Sequence, residues 1–227
     1  MRMGMPVLYT AYNRHMQFTT LFFDLDETLY PHATGLWGAI AGRITLYMVE
    51  RLGFPPEQAV SLQQKYFREY GTTLRGLQAN HNVDMDDYLA FVHDIPLDRY
   101  IHPEPGVREA IASIPARKFI FTNADANHAG RVLAAVDLLG LFDAIIDVHA
   151  IAPFCKPMPG AFALALKAAG SPEPRTCVML DDQRRITRAG RAMGMYTILV
   201  GEAGPSDDAQ AALIHLTDLP GLLDGRI

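Results

Sequence analysis

The chain has 227 residues, 49% of them hydrophobic and 20% charged, with 20 basic side chains against 25 acidic ones and a net charge of −5. Such a chain buries a sizeable core, which excludes global disorder, and its acidic balance excludes a broad electrostatic footprint for a nucleic-acid polymer. No apolar run approaches the ~18 residues that span a bilayer, and Cys155 and Cys177 suit neither a disulfide framework nor a metal-ligand pair, which fits free thiols in a reducing cytoplasm.

Residues 1–17 read as a flexible leader. Pro6, Tyr12, Asn13, Arg14 and His15 break its short apolar patch, and it lacks the h-region and cleavage site of a signal peptide. Residues 19–23 are an apolar, β-prone run that ends in acids at Asp24, the pattern of a buried parallel strand. Residues 33–103 change character. Helices are expected over 36–52, 56–70 and 84–93, with Pro55 and Pro56 at a helix start, where proline is tolerated. Pro103 and Pro105 mark the return to another pattern.

From residue 106 the elements alternate. Helices are expected over 107–114, 129–139, 160–169 and 184–192, and strands over 118–121, 144–148, 176–180 and 196–200. This order predicts an α/β fold: a doubly wound, Rossmann-like parallel sheet with a helical cap inserted after its first strand. The expected division is an α/β catalytic core over 18–32 and 104–227, and a cap over 33–103.

In an open parallel sheet, ligands bind outside the carboxyl ends of the strands. Those positions hold Asp24 and Asp26 after the first strand and Thr122 and Asn123 after the second. Lys156 lies beyond the third, and Asp181 and Asp182 follow the fourth. A single Asp after a strand is as often a turn or cap residue. Four on one rim repel each other unless a cation neutralises them, and hard oxygen ligands favour Mg²⁺. With a lysine and a threonine, such a rim suits a tetrahedral phosphate, one carboxylate acting as nucleophile and another as general acid and base. The GxxxxGK[ST] loop of a P-loop NTPase is absent.

Asp24-Leu25-Asp26-Glu27-Thr28, Thr122-Asn123, Lys156-Pro157 and Asp181-Asp182 resemble, in that order, the four motifs of the haloacid-dehalogenase-like phosphohydrolase superfamily. Leu29-Tyr30-Pro31 is similar to its pyrimidine 5′-nucleotidase branch. So are residues 70–77 (YGTTLRGL) with His81 and Asp84, and Asn123-Ala124 with His128-Ala129 and Arg131-Val132-Leu133. The resemblance implies that Asp24 is the nucleophile and forms an aspartyl-phosphate, while Asp26 is the general acid and base. It implies Mg²⁺ held by the Asp24 carboxylate, the Asp26 backbone carbonyl and Asp182, with Asp181 a direct or water-mediated ligand. Thr122 and the Asn123 amide would hold phosphate oxygens, and Lys156 would offset their charge. Positioning and electrostatic stabilisation supply most of phosphoryl-transfer catalysis.

The implied substrate is a nucleoside monophosphate such as UMP or CMP, a small phosphorylated metabolite. No nucleic-acid polymer or membrane partner is expected, and the oligomeric state is left open between monomer and weak dimer. Thr72, Thr73, Arg75, His81 and Tyr30 are the candidates for contacting the nucleoside or its phosphate. The plainer reading makes Thr72 or Thr73 a helix N-cap, with Arg75 in solvent. Trp37 is a candidate for the entrance between cap and core. His128 reads as structural, and Cys155 as partly exposed without a catalytic duty. The fourth motif departs from the common pattern, with Gln183 and Arg185 where relatives more often carry Ser and Asn. Arg185 there either tunes the phosphate site or points to solvent. Competing functions are a phosphatase for a sugar phosphate, pyridoxal phosphate or flavin mononucleotide, a phosphomutase, and a catalytically silent nucleotide-binding module.

Overall fold

A computed structural model describes residues 17–204 and 207–227. Apart from Gln17, the expected leader lies outside the described residues. The first strand, β1 (Thr20–Phe23), is buried along its whole length. Four helices follow before the next strand: α1 (Leu36–Glu50), α2 (Pro56–Tyr70), α3 (Thr73–His81) and α4 (Met85–Val92). Leu36, Ile40, Ile44, Tyr47 and Met48 of α1 recur at helical spacing and are buried, so α1 packs its apolar stripe against α2 and α4. The helix α3 is not foreseen by the apolar pattern. It starts because the Thr72 hydroxyl accepts a hydrogen bond from the Arg75 N–H at 3.2 Å. It also lies unusually close to α2, since a Cβ on Gly76 would stand 2.3 Å from Tyr66.

The rest of the chain runs α5 (Val107–Ser113), β2 (Arg117–Phe121), α6 (Ala126–Ala135), β3 (Ala144–Ile146), α7 (Pro159–Ala168), β4 (Cys177–Asp181), α8 (Arg184–Ala192), β5 (Tyr196–Val200), β6 (Ala211–Leu213) and α9 (Leu219–Leu223). The six strands form one sheet in the order β3-β2-β1-β4-β5-β6. Every neighbouring pair is parallel. The expected helix over 129–139 begins earlier, because the Asp125 carboxylate caps it by accepting the His128 N–H at 2.9 Å. The expected strand over 176–180 shifts by one residue, which brings Asp181 into the ladder opposite Leu199. The last strand β6 and the short helix α9 have no forerunner in the sequence reading. Each is very short, and β6 is half-exposed over two of its three residues.

Alternation along the central strands separates two apolar layers. Leu21, Phe23, Ile120, Val178, Leu180 and Ile198 face one cluster. Phe22, Phe119, Phe121 and Met179 face the other, beneath Phe162 of α7 and Ile186 of α8. The chain leaves β1 toward β2 and β3 on one side and later returns to β4, β5 and β6 on the other. The switch point is therefore the β1–β4 junction, and the crevice beyond its carboxyl ends lies under the inserted helices. No helix among the described residues is long and apolar enough to cross a membrane.

Candidate active site

The crevice holds a cavity of about 440 Å³ with the β1 and β4 rim as its floor. Asp24 follows β1 directly and is buried. Between Asp26 and Thr28 the backbone turns through Glu27 at a φ of 59°, a left-handed conformation that a glutamate rarely adopts. Its carboxylate pairs with His32. The turn brings Thr28 back over the end of β4, where its hydroxyl accepts the Asp182 N–H at 3.1 Å.

Lys156 is 1% exposed, and its Nζ donates to Asp24 Oδ1 at 2.7 Å and to Asp181 Oδ2 at 2.8 Å. Burial alone would discharge it. Asp181 and Asp24 outweigh that and hold its pKa above the ordinary lysine value. Burial pushes the Asp24 carboxyl up to about 7 against the pull of Lys156, and Asp181 and Asp26 add their repulsion. Asp182 is pushed up to about 9 by burial and then by Asp24 and Asp181. One lysine thus serves a group of three acids. Asp24, Asp181 and Asp182 each bring an oxygen within 4.8 Å of the others, and Asp182 Oδ1 is buried without a hydrogen-bond partner among the described residues. A carboxyl oxygen without a partner beside two others is the donor set that a hard divalent cation satisfies, and Mg²⁺ fits it.

Asp26 lies two residues on, in a different setting. Its Oδ1 accepts from the Tyr30 hydroxyl at 2.6 Å and sits 3.0 Å from His128 Nε2. Burial works to raise its pKa, but His128, by charge and hydrogen bond, and Tyr30 outweigh it and hold the pKa below the ordinary value. Thr122 and Asn123, at the end of β2, also line the cavity. The Thr122 hydroxyl accepts the Ala124 N–H at 3.0 Å. The Asn123 side chain accepts the Lys156 N–H at 2.8 Å and donates to the Lys156 carbonyl at 3.1 Å, so it fixes the loop that carries the lysine.

The residues expected from the cap divide. Thr72 and Thr73 line the cavity, with Thr73 donating to the Gln63 carbonyl at 3.2 Å, and Trp37 joins them. Arg75 does not line it, nor does it point to solvent: its guanidinium donates to the Phe154 carbonyl at 2.9 Å, tying α3 to the core. His81 lies away from the cavity and pairs with the Tyr66 hydroxyl at 2.7 Å. Tyr30 is buried and spends its hydroxyl on Asp26. Cys155, expected to be partly exposed, is fully buried. The turn between α2 and α3 covers it, and only glycine fits there: Gly71 has a φ of 87°, and a Cβ would stand 2.8 Å from the sulfur.

Arg185, left open in the sequence, takes neither of its expected roles in full. It lines the cavity with its guanidinium 3.9 Å over the Phe67 ring and donates to the Gly71 carbonyl at 3.0 Å. His93 carries no local signal in the sequence, since it stands at the end of an expected cap helix. It faces the cavity and stacks on His128 with ring centroids 4.0 Å apart.

A parallel sheet with an inserted helical roof gathers buried acids around one lysine at its switch point, where open α/β sheets bind their ligands. Residues 18–194 match the haloacid dehalogenase-like hydrolase family, and the chain belongs to it. Over 192 residues, 78% of this chain, it is 30% identical to Phosphate metabolism protein 8 of Saccharomyces cerevisiae, and it spans 60% of that relative's length. The fold is shared with YfnB, a HAD hydrolase of Bacillus subtilis whose structure is bound to magnesium: TM-score 0.61, 16% identity, 92% of this chain and 99% of that one. L-2-haloacid dehalogenase of Xanthobacter autotrophicus is also similar, with TM-score 0.60 and 17% identity over 93% of this chain and all of that one (100%). At such identities the likeness shows the fold, and the chemistry has to be argued from the site.

Proposed function

We propose that this chain is a Mg²⁺-dependent phosphomonoesterase that works through an aspartyl-phosphate on Asp24 and takes pyrimidine nucleoside 5′-monophosphates, UMP or CMP, as substrate. The observation that carries the reading is the Asp24–Lys156–Asp181 bridge beside the orphaned oxygen of Asp182. Asp24, Asp182 and the Asp26 carbonyl would hold the metal, with Asp181 beside them. When bound, the cation supplies Lewis-acid charge for the phosphoryl oxygens and brings the carboxylates to their ionised form.

The Asp24 carboxylate attacks phosphorus as the ester P–O bond breaks. Asp26 gives its proton to the departing alkoxide, because a phosphoryl group beside Asp26 opposes the ionised carboxylate. Water then attacks the phosphorus of the aspartyl-phosphate, Asp26 takes its proton, and Asp24 leaves as carboxylate. Thr122 and the Asn123 amide hold phosphoryl oxygens, and Lys156 offsets charge through both steps. Asp26 is also what favours an ester over a halide, since an alkoxide leaves well only with a proton.

The nucleotide part of the reading rests on the similarity of residues 29–31 and 70–77 to one branch of the superfamily. It is supported by a cavity large enough for a nucleoside, within the usual ~300–1,000 Å³ of ligand pockets. Trp37, Phe67, Gln63 and Thr72 line it, with the Arg185 guanidinium over the Phe67 ring. Phosphate release from UMP, CMP, purine monophosphates, sugar phosphates and pyridoxal phosphate, with Mg²⁺ and with chelator, tests it. A Mg²⁺-dependent preference for UMP and CMP that disappears in Asp24→Asn is expected. Preference for another ester discards the substrate and keeps the mechanism. Tight nucleotide binding without turnover discards the enzyme.

A further inference from the structure

His128 has no part in the steps above, yet it is buried beside them. Its side chain is 0% exposed. Its Nε2 faces Asp26 Oδ1 at 3.0 Å, and its Nδ1 has no partner among the described residues. The ring proton therefore sits on Nε2, where a carboxylate accepts it. The Tyr30 hydroxyl reaches the same oxygen at 2.6 Å. Two donors thus converge on Oδ1, which disfavours a proton there. Asp26 Oδ2 makes no hydrogen bond among the described residues, and Asp26 lines the cavity. The proton of an acid held in this way belongs on Oδ2, on a carboxyl group that lines the cavity.

His128 is itself held from two sides. Asp125 caps α6 through Oδ1, at the His128 N–H, while its Oδ2 accepts from His93 Nδ1 at 2.6 Å. His93, at the end of α4, then stacks on His128 at 4.0 Å with 14° between the planes. Arg131 of α6 secures the chain beyond α4 by donating to the His93 carbonyl at 2.8 Å and the Ile95 carbonyl at 2.5 Å.

We propose that His128 is a positioning residue that commits Asp26 to proton transfer through Oδ2, and that His93 couples its orientation to the seating of the inserted helices. This rests on the phosphomonoesterase reading, in which Asp26 protonates the leaving oxygen. The test compares kcat/KM for an alkyl ester, UMP, with that for an aryl ester, p-nitrophenyl phosphate. This ratio reports phosphoryl transfer to the enzyme and excludes the later hydrolysis. An alkoxide needs the proton, and a nitrophenolate scarcely does.

His128→Met is expected to lower kcat/KM for UMP by about 100-fold and for the aryl ester by less than about tenfold. His128→Gln, which keeps a donor at similar reach, restores UMP turnover to within about tenfold of the parent. His93→Ala shows the same discrimination in milder form, and His93→Phe, which keeps the stacked ring, lies closer to the parent. Equal losses on both esters, an unchanged His128→Met enzyme, or no rescue by Gln overturns the inference. Should His128→Met not fold, Tyr30→Phe removes the other donor with little change of shape, and an equal loss on both esters there overturns it as well. A parent enzyme that hydrolyses neither ester overturns the functional reading and this inference with it. Activity lost in Asp24→Asn, without leaving-group discrimination in His128→Met, overturns only the inference.

Discussion

The two walls of the cavity are made of opposite chemistry. The core wall gathers Asp24 and Asp26 beyond β1, Thr122 beyond β2 and Lys156 from the loop after β3, each charge already engaged by a neighbour. The wall from the inserted helices is largely carbon, with Ile40, Ile44, Leu74, Leu89 and Val92 beside Thr72 and Thr73. Buried charge is costly unless every partner is placed, so the core wall tolerates little change in type or position. Apolar contact is graded and roughly proportional to area, so the other wall can change by a methylene and still bind something. On the proposed reading, one wall carries the reaction and the other selects what fits.

The largest break in that comparison is Asp24→Asn. Removing the nucleophile is expected to cost roughly 10⁴- to 10⁶-fold in kcat with the fold intact by circular dichroism. A residual rate within tenfold of the parent would dismiss Asp24 as the nucleophile. Lys156→Met comes next. It leaves Asp24 and Asp181 without their shared cation, and a loss of about 10³-fold in kcat with about 3 kcal/mol of stability is expected in urea titrations. An unchanged midpoint would mean that the acids do not depend on it.

The same core wall gives the metal-free protein an unusual response to pH. The raised Asp182, with Asp24 below it, keeps protons that the unfolded chain has already lost. The folded state then binds more protons than the unfolded one, so stability falls as pH rises from about 7 to about 9. His93, held below its ordinary value of 6.5, and the depressed Asp26 contribute nothing to the slope in that window. With chelator, Tm should drop on the order of 5 °C between pH 7 and pH 9, and saturating Mg²⁺ should flatten the curve. A rising Tm with chelator would refute the charge imbalance.

Smaller effects belong to the other wall. Ile40→Ala is expected to shift kcat/KM for a bulky ester by about tenfold, while p-nitrophenyl phosphate changes by less than about threefold. Equal shifts would place Ile40 in general support and not in selection. Arg75→Met should leave both esters nearly unchanged and lower stability by about 1–2 kcal/mol, since its bonds run to the Phe154 and Val148 carbonyls. A large change in KM would return Arg75 to the substrate.

What was legible in the sequence follows the same divide. Asp24 and Thr122 stand immediately after short apolar strands, Asp181 ends another and Lys156 lies in the loop beyond β3, so chain order and strand pattern bring them to one rim. The inserted helices offered no such rule. Arg75 and His81 look like binding residues in one dimension. Arg75 becomes a strut only because residues 148 and 154 of a distant loop come beneath it. Nothing near Cys155 in sequence covers it, and its cover is Gly71, 84 positions earlier. His93 and Asp125 gain their roles from a stack and a hydrogen bond across 35 and 32 positions. Residue type alone carries no trace of such contacts.

The helices from Leu36 to Val92 enter and leave the core between β1 and β2, two strands that already lie side by side. Because both junctions open on one edge of the crevice, this whole segment can be exchanged without rethreading a single strand or altering the register of the sheet. On the proposed reading, a change in the insert would then alter what binds and leave the strand-end chemistry as it is.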